Sequence, residues 1–81
     1  MLSTIGYGAF WGSKLVSIEI PASVTYIESN AFNNSTSLET IKFKGTISEW
    51  NSVSIGDEDV FKNVPATKVI CTDGEVTLPK N

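Results

Sequence analysis

The strongest constraint on the fold of this chain is that it repeats itself. Ile5-Gly6-Tyr7-Gly8-Ala9-Phe10 returns 22 residues later as Ile27-Glu28-Ser29-Asn30-Ala31-Phe32. Leu15-Val16-Ser17-Ile18-Glu19-Ile20 returns 23 residues later as Leu38-Glu39-Thr40-Ile41-Lys42-Phe43. The extra residue falls in the polar stretch 33–37, where a loop tolerates an insertion. A third, altered copy follows, because Phe61 precedes Val69 by the same eight residues that separate Phe10 from Ile18. Lys68-Val69-Ile70-Cys71 is therefore in phase with the earlier segments, and Ile55-Gly56 echoes Ile5-Gly6. A unit this short cannot bury an apolar face alone, so consecutive copies must stack on one another.

Within each copy, Ile18 and Ile20, then Ile41 and Phe43, alternate with Ser17, Glu19, Thr40 and Lys42. Period-two alternation over so few residues predicts a strand with one buried face. Residues 15–20, 38–43 and 68–71 are expected to pair in parallel, one strand per repeat, with Pro21 ending the first and Gly45 the second. Residues 24–27 and 53–55 alternate as well and predict a second wall. Ala31-Phe32 and Val60-Phe61 then drive a ring inward at the corner, where Phe10, Phe32 and Phe61 would form one column. Ser48 before Glu49-Trp50-Asn51 predicts an N-cap and a single helical turn, with Trp50 folding over the end of the stack. Asp73-Gly74 predicts a type I′ hairpin that would shield the last strand edge. The expected fold is mainly β, with short helical turns and a C-terminal hairpin cap, in one domain over 1–81. Its repeats run about 5–26 and 27–45, and a degenerate capping repeat covers 46–81.

The 81 residues suit one small domain, which buries roughly 60% of its unfolded surface. Six Lys, no Arg and nine acidic residues leave a net charge of −3, which argues against nucleic acid as a partner. With no His and Cys71 as the one cysteine, a Cys/His zinc site, a His-based nucleophile pair and an intramolecular disulfide are excluded. No cofactor or metal is expected. No apolar run approaches the 18 or so residues of a membrane span. The first residues also lack the basic and apolar regions of a secretory signal, so we expect a fragment of a longer array.

Ile-Gly-x-x-Ala-Phe followed by Leu-x-x-Ile-x-Ile-Pro-x-Ser-Val-Thr-x-Ile-x-x-x-Ala-Phe closely resembles the BspA-type leucine-rich repeat of bacterial and protist surface proteins. The match runs from about Ile5 to Phe43. The segments 45–50 and 69–74 look like the closing unit of that family. The family commonly has a Cys three residues after the Phe, where Ser13 and Ser35 stand here. The resemblance implies a right-handed solenoid, an extracellular or cell-surface location and a role in attachment or protein–protein contact. It brings no catalytic residues with it.

If Ile18, Ile41 and Val69 point inward, Ser17, Thr40 and Lys68 form one outward row, and Glu19, Lys42 and Ile70 a second. These six residues read first as a solvated sheet surface, with Glu19 and Lys42 an adjacent opposite-charge pair, and on the functional reading as a contact face for a host or matrix protein or for neighbouring repeats. Asp57-Glu58-Asp59 lacks the spacing of a calcium loop and reads as a solvated turn. Asn33 and Asn34 are two overlapping glycosylation acceptors by sequence. Cys71 reads as a small buried hydrophobe. The function expected is a non-catalytic interaction or adhesion module. The alternative is a structural, self-associating piece that pairs two copies through the uncovered edge of residues 15–20.

Overall fold

Alternation of apolar and polar residues in each repeat resolves into two short strands that the chain visits in turn. The computed structural model describes residues 3–78, apart from the Glu58 side chain. β1 (Thr4–Ile5), β3 (Tyr26–Ile27) and β5 (Ser54–Ile55) form a parallel sheet in that order. β2 (Ser17–Ile20), β4 (Thr40–Phe43) and β6 (Lys68–Cys71) form a second parallel sheet, and β7 (Gly74–Thr77) joins β6 antiparallel. The register follows the repeat: Ile5 pairs with Ile27 and Ile27 with Ile55, while Ile18 pairs with Ile41 and Ile41 with Val69. Mainly strand with little helix is thus the observed class, and neither sheet closes on itself.

The core lies between the two walls. Ile20, Ile27, Leu38, Ile41 and Val69 have no solvent exposure, and neither does Phe32. Phe10, Phe32 and Phe61 are superposed in one column, with centroids 5.3 and 5.6 Å apart and planes within 5° and 4°. The offset between the first two repeats is 22 at Gly12 and Asn34, which share positive φ, and 23 by Ser17 and Thr40, so the extra residue lies in the loop between them. Just before β4 the Val16 carbonyl accepts from both Glu39 and Thr40 N–H, at 2.8 and 3.2 Å.

The corner carrying the Phe column needs a left-handed residue in every repeat. Two positions after each Phe stand Gly12, Asn34 and Asn63, with φ of +66°, +61° and +63°. Gly8 and Asn30, two positions before, share this conformation at +61°. Most side chains lose about 1–2 kcal/mol there, whereas Gly has no Cβ and Asn tolerates it. The sequence carried this signal at constant offsets from Phe, and the alternation pattern does not report it.

Three expectations shift. The helical turn α1 (Ile47–Asn51) is capped by Thr46, not Ser48. Thr46 Oγ1 accepts from Glu49 N–H while the Glu49 carboxylate accepts from Thr46 N–H, a reciprocal box that Ser48, already inside the helix, cannot form. The hairpin forms, but its loop is Thr72-Asp73 between paired Cys71 and Gly74. Positive φ falls on Gly74, at +150°, so the type I′ turn on Asp73-Gly74 is not made. The Asp73 carboxylate instead accepts from Ile47 N–H, tying the hairpin to the start of α1. Finally, the first strand starts at Ser17, and Leu15 is 38% exposed where its equivalent Leu38 is fully buried. Trp50 is fully buried and packs against Phe43 at 5.3 Å.

Candidate functional site

Because β2, β4 and β6 are in register, alternate side chains line up across the sheet. Ser17 sits beside Thr40, and Glu19 beside Lys42, which neighbours Ile70. Ser17, Glu19, Lys42 and Lys68 are exposed, while Thr40 and Ile70 are half-buried. β7 accounts for the burial of Ile70, since Glu75 stands directly opposite it. Glu19 and Lys42 are neighbours but close no ion pair within 4 Å. The ion pair of this face is Lys68 with Glu75, at 2.9 Å, between side chains 54% and 49% exposed. Such an exposed pair contributes at most about 1 kcal/mol. The hairpin therefore extends the face by a strand whose outward residues, Glu75 and Thr77, follow from the same alternation.

At the C-terminal ends of these strands the face opens into a shallow concavity of about 310 Å³, lined by Glu19, Lys42, Lys44, Ile70 and Thr72 above Phe43 and Cys71. Cys71 is buried, and burial is the main reason its thiol titrates above its ordinary range. The carboxylate of Asp73 pushes the same way. A thiol held neutral is a poor nucleophile.

The other singled-out residues have local roles. The Asp57 carboxylate accepts from Asp59 N–H and from the Ser29 hydroxyl, capping a 3-10 helix over Glu58–Phe61. Among the described residues there is no cluster of three metal-ligating side chains. Asn33 is buried, and its amide donates to Asn30 Oδ1 at 2.9 Å, so its side chain serves the fold of this corner. Asn34 is exposed. Ser35, standing where the resemblance leads one to expect Cys, is fully buried and donates to the Phe10 carbonyl at 2.6 Å. A hydroxyl there stitches two repeats together through a bond a thiol would make only weakly.

No helix among the described residues is long and apolar enough to cross a membrane. A family model described as "BspA type Leucine rich repeat region (6 copies)" matches residues 1–80. No curated protein and no solved structure matches the chain.

Proposed function

Because this chain belongs to the BspA-type leucine-rich repeat family, we propose that it is a non-catalytic protein-binding or adhesion module, displayed at a cell surface or outside the cell. Repeats of this kind generally mediate protein interactions. We further read the alternating walls as one short right-handed solenoid domain, with residues 46–81 closing it. The observation that carries the reading is the aligned outward face of β2, β4, β6 and β7: Ser17, Thr40 and Lys68 in one row, Glu19, Lys42 and Ile70 in the next.

The size of that face sets the strength of binding. Four strands about 4.8 Å apart, each presenting roughly four residues at about 3.3 Å, give about 250 Å². A standard interface takes about 800 Å² from each partner. Contact through this face alone is therefore weak, and gains strength from repetition or from surfaces beside it. Host or matrix proteins are the partners this reading points to. The test is biolayer interferometry of the chain against a panel of purified extracellular-matrix proteins. Binding to a panel member that is lost on Lys42→Glu with Thr40→Glu supports the reading. Binding that ignores these changes, or none across the panel, contradicts it.

A second reading is self-association, favoured by a specific observation. β2 lies at the edge of its sheet, and Leu15 and Val16 just before it are 38% and 57% exposed. Open strand edges pair. Sedimentation that shows a soluble monomer at high concentration counts against this reading.

A further inference from the structure

We propose that the corner bearing Tyr7 and Trp11 is a platform for neutral carbohydrate. The chain holds six basic and nine acidic residues, yet none falls in segments 5–13 or 29–38, which build this corner in the first two repeats. Charge enters the corner only in the third repeat, where Asp57 bonds to Ser29 and Lys62 precedes Asn63, so the aromatic end offers a partner no charge to pair with.

Tyr7 and Trp11 are 63% and 50% exposed, and their rings meet edge to face at 6.5 Å and 67°. The rings are held in place. Tyr7 Oη accepts from Asn30 Nδ2 at 3.1 Å, and the Trp11 ring lies over Gly8, where a Cβ would sit 3.5 Å from Cε3. Aromatic faces carry negative potential and attract the weakly positive C–H groups on the apolar side of a sugar ring.

Polar groups complete the patch. The left-handed column of Gly12, Asn34 and Asn63 starts next to Trp11. Asn63 Nδ2 donates to Asn34 Oδ1 at 2.6 Å, which leaves the Asn34 amide N–H groups and the Asn63 carbonyl turned to solvent, along with the Tyr7 hydroxyl proton. Sugar hydroxyls both donate and accept, and these groups offer one kind of partner for each role. Three repeats at about 4.8 Å span only about 10 Å, enough for one or two sugar units and far below a protein interface.

This proposal is independent of the strand face and is tested separately. The full chain is run in native gels containing laminarin, hydroxyethylcellulose or mannan, with heparin as an anionic control. Trp50 is fully buried, so Trp11 reports binding through tryptophan emission. The expected result is retardation by at least one neutral polysaccharide with a change in Trp11 emission. Trp11→Ala and Tyr7→Ala should each weaken binding by about tenfold, as aromatic anchors do. Both sites are exposed, so circular dichroism should be unchanged, and Trp11→Phe should keep part of the binding. Three results overturn the proposal: no retardation by any of the three neutral polymers, retardation by heparin alone, or binding unaffected by both alanine variants. Trp11-dependent dimerisation in sedimentation, without sugar binding, also overturns it and assigns the corner to a protein contact.

Discussion

Removing the middle ring of the Phe column should cost far more than removing an outer one. Phe32 is fully exposed to its neighbours and not to water, stacked on Phe10 at 5.3 Å and Phe61 at 5.6 Å, whereas Phe10 and Phe61 are half-buried. Truncating a buried Phe to Ala costs about 3–5 kcal/mol through lost transfer energy and the cavity left behind. For 81 residues, marginal stability implies roughly 4–12 kcal/mol in total, so Phe32→Ala removes a large share and can unfold the chain outright. Phe32→Leu, which keeps most of the volume, should cost about 1.5 kcal/mol and stay folded. Phe10→Ala should cost roughly half as much as Phe32→Ala, because part of its ring already faces water. Urea unfolding followed by circular dichroism and by the buried Trp50 measures each value. A double-mutant cycle with Phe10→Leu and Phe32→Leu isolates the ring–ring term, expected at about 0.5–1.5 kcal/mol. Equal costs for Phe10→Ala and Phe32→Ala, or a coupling of zero, would refute a shared column as the source of cohesion.

Further outcomes follow from single contacts. Thr46→Ala should destabilise by about 1 kcal/mol through loss of the capping box, while Ser48→Ala stays within about 0.5 kcal/mol, as denaturant titration of both will show. Asn63→Gly should be tolerated at φ +63°, but Asn63→Val should cost about 1–2 kcal/mol, readable as a drop in melting temperature. Because burial raises the folded thiol pKa of Cys71, its stabilising contribution is full below the ordinary thiol range and declines as pH rises through the folded value. Stability should therefore fall at alkaline pH, and Cys71→Val should flatten that slope; an unchanged slope removes the thiol from the account. Alkylation of Cys71 by iodoacetamide should be slow in the native state and accelerate in denaturant.

Most of the wall-and-column arrangement was legible because each part of it is a property of the period. Offsets of 22 and 23 residues set which side chains meet across strands, and alternation sets which of them face inward. The Phe column and the two outward rows follow from those two facts. Legibility stopped where a residue's state depends on what lies beside its strand. Leu15 and Leu38 are equivalent in the repeat, yet Leu38 is fully buried and Leu15 is 38% exposed, since β2 has a neighbour on one side only. Ile70 shares a row with exposed Lys42 and is half-buried because β7 packs beside it.

The sequence by itself determined the stacking of like on like, because an apolar pattern that recurs at one interval can be sheltered only by its own copies. The Thr46-x-x-Glu49 capping box is local and was legible in the sequence; tertiary structure alone decided that the Asp73 carboxylate reaches Ile47 N–H at the start of α1, and that Tyr7 meets Asn30 one repeat away to hold an aromatic corner in the open. Those choices turn on distances of a few ångströms between residues far apart in the chain, and a repeat period carries no information about them.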